Sequence, residues 1–241
     1  MTNATILKVE GVSKRFGGVQ AVSDVSLTLQ HGEIVGLIGA NGAGKTSFFN
    51  LISGMHYPDA GSVAFAGGDI TRLDPASRAR RGIGRTFQVV RPFTGMTVAE
   101  NVMVPLLVGD SSVRRARVRA MELLDELSIA DLAKKPAEGL TLAQRKRVEV
   151  ARALATGPKL LLLDEVLAGL NSREVIDVLP FIKKVRDRGV SILMIEHLVS
   201  AVMEVSDRMM VLDRGSVLVH GLPADVVSDP RVIAAYLGEE D

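Results

Sequence analysis

Cysteine is missing from this chain altogether. That excludes disulfides and thiolate metal sites, and it fits a reducing compartment. An excess of one charge is missing too. Against 29 Lys and Arg stand 28 Asp and Glu, a formal net charge of +1. The bulk balance therefore argues for neither nucleic acid nor an acidic partner. No apolar run approaches the roughly 20 residues of a membrane span. Residues 1–5 carry no basic n-region and no apolar h-region, so neither a transmembrane helix nor a signal peptide is expected. Internal repeats and low-complexity tracts are absent. Two nucleotide-binding classes lack their marks: there is no N-K-x-D guanine motif, and no G-x-G-x-x-G with an acidic ribose ligand. What is present is a chain of 241 residues, 47% hydrophobic, enough for one large α/β domain or a core plus a subdomain.

The positive signal is concentrated at Gly39-Ala40-Asn41-Gly42-Ala43-Gly44-Lys45-Thr46, a G-x-x-x-x-G-K-[ST] P-loop pattern. Residues 33–38 before it read as a buried strand, and residues 47–52 after it open a helix. Strand, glycine loop, helix is the context in which the pattern binds a polyphosphate. The glycines allow the backbone N–H groups to turn toward the phosphates, and the helix N-terminus adds partial positive charge. Gly39, Asn41, Gly42, Ala43, Gly44, Lys45, Thr46 and Ser47 are thus the expected cradle. Lys45 would reach the β- and γ-phosphates and the Thr46 hydroxyl would bind Mg²⁺.

Along the chain, residues 6–10 and 25–29 read as strands around a basic, aromatic turn at 12–18. Residues 62–66 form another strand, and 82–88 a strand ending on an amide. The texture then becomes helical. Thr97-Val98-Ala99-Glu100 is a capping box. Residues 113–127 predict a helix with Val118, Met121 and Leu124 on one face and a crowd of arginines at its start, read as a solvated face. Residues 144–155 predict a third helix. The α/β pattern returns at 159–163, with a helix at 173–187, strands at 190–195 and 208–212, a hairpin at 215–219, and a last helix from Asp229-Pro230 to Leu237. The division expected is a single domain over 1–241, with 1–88 and 157–241 as core plus β subdomain and 89–156 as a helical insertion.

Three apolar strands end in polar residues: Ile38 runs into the P-loop, Leu163 into Asp164-Glu165, and Ile195 into Glu196-His197. In an open parallel sheet, ligands bind outside the carboxyl ends of the strands, so these groups should meet at one crevice. Four leucines followed by Asp-Glu is a Walker B pattern. Asp164 would hold Mg²⁺, Glu165 would accept a proton from an attacking water, His197 would donate to the γ-phosphate, and Gln88 would sense the metal or position the water. A lone strand-end histidine is more often structural, and a lone glutamine means little; their order together with the P-loop carries the weight.

On these residues the chain resembles an ABC transporter ATPase over nearly its whole length. The resemblance implies an α/β P-loop NTPase with a RecA-like core, a small antiparallel β subdomain and an inserted helical subdomain. It implies ATP and Mg²⁺ as ligands, and two subunits facing head to tail with two ATPs between them, as a homo- or heterodimer. It puts Phe16 against adenine, Gln88 at the Q-loop, and Leu140-Thr141-Leu142-Ala143-Gln144 at the signature. Thr141, Ala143 and Gln144 would then serve the opposite subunit's ATP. Residues 168–171 fall at the D-loop and His197 at the switch position. Leu142 and Ala143 depart from the family's Gly-Gly, Asn171 from its aspartate and Val166 from its common proline. These departures bear on how strongly this subunit activates its partner's ATP.

Residues 12–18, 80–88, 91–93, 98–102 and 235–239 narrow the resemblance to the branched-chain amino acid importer ATPases. That group implies a second ATPase subunit, two transmembrane permeases and an extracytoplasmic solute-binding protein, with this chain at the cytoplasmic face of the membrane. Related urea or amide importers, the lipopolysaccharide exporter, and an ATP-binding regulatory partner with weak hydrolysis are the alternatives. Residues 89–96 are either the permease contact or a plain connecting loop.

Overall fold

The computed structural model describes residues 4–86, 92–109 and 112–237. The chain opens with a long antiparallel pair, β1 (Thr5–Phe16) and β2 (Val19–Gln30), followed by β3 (Ile34–Ile38), α1 (Lys45–Ser53), β4 (Ala60–Phe65) and β5 (Gly68–Asp69). Next come α2 (Pro75–Arg81), β6 (Ile83–Arg85), α3 (Val98–Gly109), α4 (Val113–Glu126) and α5 (Leu142–Ala155). The rest is β7 (Leu160–Asp164), α6 (Ser172–Asp187), β8 (Ser191–Ile195), α7 (Val199–Val205), β9 (Arg208–Asp213), β10 (Ser216–Gly221), α8 (Pro223–Ser228) and α9 (Pro230–Leu237).

These strands form two sheets. One is antiparallel with order β2-β1-β4-β5. The other has order β10-β9-β3-β8-β7-β6, parallel from β9 to β6, with β10 antiparallel on one edge. The central strands β3, β7 and β8 are buried along their whole length, as expected of parallel strands covered on both faces. Because successive side chains point to opposite faces, Leu160 and Leu162 enter one core with Leu193 and Ile195. Leu161 and Leu163 enter another with Ile192 and Met194. The first core holds α1 through Phe48, Phe49, Leu51 and Ile52, between the large sheet and the inner face of the small one. The second runs on into α4, α5 and α6. A third, smaller core packs α7, α8 and α9 on Ile38, Met209 and Val211.

Two expectations are corrected. Residues 12–18 are not a turn: β1 continues to Phe16, and only Gly17-Gly18 turns. Val12 pairs with Val25 and both are fully buried, while the register shifts between Val9 and Arg15 absorb the irregular sequence that hid the strand. Helix α4 buries Ala116, Ala120, Leu123 and Leu124, whereas Val118 and Met121 are exposed. Two alanines spaced four apart let this helix approach its neighbours, and a pair of alanines is a weaker sequence signal than Val and Met.

No hydrophobic periodicity marks helix α2, whose seven residues include four polar ones and no large apolar side chain. Asp74 caps it, accepting from the Ser77 N–H at 2.7 Å, and Pro75 stands in the first turn. Its anchor is the fully buried Arg78. The guanidinium donates to the carbonyls of Leu51 and Ile52 at 2.6 and 2.8 Å, in the last turn of α1, and to those of Thr71 and Leu73 at 2.9 Å. A cation at the negative end of the α1 dipole and four satisfied carbonyls offset its desolvation, which still pulls its pKa down.

Candidate functional site

The P-loop leaves β3 at Ile38 and enters α1 at Lys45, as the spacing predicts. Gly44 is the N-cap of α1 at φ 98°, and a Cβ there would lie 2.3 Å from the Ala21 carbonyl oxygen. Only glycine meets both demands, and as an N-cap it supplies no side-chain acceptor, so the first-turn N–H groups stay open to an anion. The buried Lys45 Nζ donates to the carbonyls of Gly39 and Ala40 at 2.6 and 2.8 Å. It is already folded back along its own loop, so reaching a phosphate exchanges carbonyl acceptors for charged ones.

Over this loop lies a cavity of about 220 Å³ lined by Val19, Gln20 and Ala21 of β2, residues 41–47, Glu165 and His197. The structure thus brings Asn41, Gly42, Ala43, Gly44, Lys45, Thr46, Ser47, Glu165 and His197 to one place; Gly39 lies at its base as an acceptor for Lys45. Glu165 Oε1 and His197 Nε2 are 3.0 Å apart. Glu165 has φ 49°, a left-handed backbone that costs a non-glycine residue about 1–2 kcal/mol. Backbone strain of this kind persists where the surroundings over-determine it.

Asp164, immediately before it, is 4% exposed, and its Oδ2 accepts from Arg85 Nη2 at 2.8 Å. The same guanidinium reaches Asn50 Oδ1 at 2.7 Å and Ser53 Oγ at 2.8 Å, so it ties the P-loop helix to the end of β7. Among the described residues no group of three or more His, Asp or Glu could hold a metal ion. One carboxylate and one hydroxyl fit Mg²⁺, which takes its remaining ligands from phosphates and water. Asp164 and the exposed Thr46 are of that kind. Gln88 lies outside the described residues, as do residues 87–91 around it.

Phe16 does not line the cavity. It pairs across the strand with Val19, which does, and its ring stands edge-on to His56 at 5.0 Å with Lys14 Nζ 5.7 Å from its centroid. Nor do the signature residues Thr141, Ala143 and Gln144 reach it. They form the start of α5: Thr141 Oγ1 accepts from the Gln144 N–H at 3.3 Å, and Gln144 Oε1 accepts from the Thr141 N–H at 3.1 Å. The capping box closes the N-terminus of α5, which takes no part in lining this chain's own P-loop cavity.

Beneath Glu165 lie two ionisable groups to which no sequence motif assigns a role. Glu196, 2% exposed, accepts from the Leu167 N–H at 2.8 Å. Burial pushes its pKa up to about 7, opposed by the Leu167 N–H and Lys146 and reinforced by Glu165. Lys146 on α5, 6% exposed, donates to the Glu165 carbonyl at 2.6 Å, and burial pushes its pKa down against the pull of Glu196, Glu165 and Asp164. The available signals were a carboxylate at a strand end and a lysine at helical spacing with the buried Ala143, Val150 and Ala153.

The Glu196 shift has a measurable consequence. Between its ordinary value of 4.5 and about 7, the folded chain keeps a proton that the unfolded chain has released. For this group, stability therefore falls as pH rises through that window and is level above it. Glu196→Gln is expected to remove the loss, leaving the variant more stable than the natural chain by up to about 3 kcal/mol above pH 7 and similar to it near pH 4.5. Thermal midpoints of both proteins across that range check this; parallel curves would refute it.

Comparison with known proteins agrees with this geometry. The family model "ABC transporter" matches residues 22–168, and "Branched-chain amino acid ATP-binding cassette transporter" matches residues 216–241. The chain is 39% identical to the high-affinity branched-chain amino acid transport ATP-binding protein BraF of Pseudomonas aeruginosa, covering 97% of this chain and 98% of that one. It is also 39% identical to the lipopolysaccharide export system ATP-binding protein LptB of Escherichia coli K12, with the same coverage. Among solved structures, the ADP conformation of MJ1267, an ATP-binding cassette of an ABC transporter, superposes with a TM-score of 0.89 at 32% identity. That match covers 98% of this chain and 99% of the other.

Proposed function

The chain belongs to the ABC transporter ATP-binding family, and on that footing we propose that it drives an importer of branched-chain or other hydrophobic amino acids. ATP hydrolysis coupled to transport is the activity of the family. Its cassettes bind ATP with Mg²⁺ and act as dimers on membrane permease subunits. No described helix is long and apolar enough to cross a membrane. In this reading the coupling runs through contact with a permease at the cytoplasmic face. Residues 89–96 are our candidate for that contact, and an extracytoplasmic binding protein completes the system.

In this reading, Lys45 and the N–H groups of the P-loop hold the β- and γ-phosphates. Thr46 and Asp164 would hold Mg²⁺, with Gln88, and the ion would offset charge on the phosphate oxygens. Glu165 takes the proton of the attacking water and His197 donates to the γ-phosphate. Phe16, beside Val19, faces the adenine. Thr141, Ala143 and Gln144 present the start of α5 to the partner subunit's ATP.

Whole-chain identity does not separate an importer from a lipopolysaccharide exporter, since BraF and LptB are equally similar. The match of residues 216–241 to the branched-chain amino acid cassettes carries the choice. The test is reconstitution of this ATPase in proteoliposomes with the permeases and binding protein encoded beside it. ATP-dependent uptake of labelled leucine, stimulated by the binding protein, is the expected result. Assembly with an exporter's permeases and no such stimulation would overturn the reading.

A further inference from the structure

The turn that carries Glu165 is held from two sides by groups that do not themselves line the P-loop cavity. Its carbonyl oxygen accepts from Lys146 Nζ at 2.6 Å, reaching over from α5. Two residues on, the Leu167 N–H donates to Glu196 Oε1 at 2.8 Å, at the end of β8. The Glu165 N–H itself donates to the Ile195 carbonyl at 3.0 Å. The left-handed backbone of Glu165, φ 49°, directs its side chain to His197 and the cavity. An extended or helical backbone at this position would aim the carboxylate elsewhere. A third contact points the same way: Leu142, in the signature, closes on Gly169, where an added Cβ would lie 2.9 Å from Leu142 Cδ2. Helix α5 therefore meets the loop after Walker B at Glu165 and again at Gly169.

We propose that Lys146 and Glu196 are positioning residues that clamp the main chain of residues 165–167 and so aim Glu165. Through Lys146 that aim is tied to α5, the helix whose N-terminus serves the partner's ATP. The proposal rests on Glu165 as the base and on the signature acting in trans. It gives a single chain a rigid path from the half-site it lends to the half-site it owns: a shift of α5 against the large sheet moves the Glu165 carbonyl with it. Lys146 does not touch substrate, so its loss should alter turnover and spare nucleotide binding.

The experiment is steady-state ATP hydrolysis and ATP binding by the full chain in its transporter complex. Lys146→Met keeps the length of the side chain and removes the donor. It is expected to lower kcat about tenfold or more with KM and ATP affinity within about twofold, the size of effect a small misplacement of a base produces. Lys146→Arg, which retains donor and charge, should recover most of the rate. A wild-type kcat in Lys146→Met overturns the clamp, as does a parallel loss of kcat and ATP affinity that Lys146→Arg fails to rescue. If Lys146→Met does not fold, Glu196→Met, which removes the acceptor of the Leu167 N–H, decides. About a threefold or greater fall in kcat at unchanged ATP affinity supports the clamp, and a wild-type kcat overturns it. Glu165→Gln separates the two readings. If that variant still hydrolyses ATP, the base assignment falls and the clamp with it. If it is inactive while Lys146→Met turns over normally, the clamp alone falls.

Discussion

Glu165→Gln is expected to lower ATP hydrolysis by about 10²–10⁴-fold, the range a positioned general base contributes, while ATP still binds. The argument is geometric. Glu165 lines the cavity over the P-loop with its Oε1 3.0 Å from His197 Nε2. The substitution keeps the size of the side chain and a carbonyl oxygen for His197, and it removes only the capacity to take a proton. Lys45, Thr46 and the N–H groups at the start of α1 are untouched, so the affinity for the triphosphate should stay within a few-fold. With hydrolysis stopped and binding intact, ATP should accumulate in a stable dimer. Phosphate release under single-turnover conditions and ATP-dependent dimerisation in size-exclusion chromatography measure the two halves. An unchanged rate would remove Glu165 from the role and shift attention to residues outside the described part of the chain, Gln88 first.

The residues most legible in the sequence are those that sit at the ends of buried strands. The pairs Asp164-Glu165 and Glu196-His197 each follow an unbroken apolar run, and a parallel sheet delivers such ends to one edge whatever their separation in sequence. The P-loop was legible for the same reason, with glycines as a second signal. The parts that did not show are held by contacts with no periodicity. Arg78 and Arg85 lie in the arginine-rich stretch around α2 and β6, where composition suggests a solvated surface, yet one caps a helix inside the core and the other pairs with Asp164. Lys146 is one of three basic residues in a row after the signature, and nothing in the run says which one turns inward. The exposed face of α4 was misread because Val118 and Met121 outrank Ala116 and Ala120 on any hydrophobicity scale, while close helix packing favours the alanines.

Arg85→Met is the other change with a large expected effect, here on stability. The Asp164 carboxylate is nearly sealed from solvent, and Arg85 is the cation the structure gives it. Removing one partner of a buried pair leaves the other charge uncompensated, at a cost of about 3–5 kcal/mol. For a chain of this size that is a fall in thermal midpoint of about 6–20 °C. The guanidinium also bridges Asn50 and Ser53 on α1, so the loss falls on the joint between the P-loop helix and β7. Arg85→Lys keeps the charge but cannot span all three acceptors, and should lie between the variant and the natural chain. The discriminating experiment is the double variant with Asp164→Asn. If the penalty comes from the orphaned carboxylate, Arg85→Met/Asp164→Asn will be more stable than Arg85→Met alone, since neutralising Asp164 removes the unpaired charge. If the penalty comes only from lost packing and the α1 bridge, the second substitution will add to the first. The same cycle read by Mg²⁺-dependent ATP binding tells whether Arg85 merely neutralises Asp164 or holds it at the angle the metal needs. In the first case Arg85→Lys binds Mg²⁺-ATP as the natural chain does. In the second it binds several-fold more weakly, although its charge is intact.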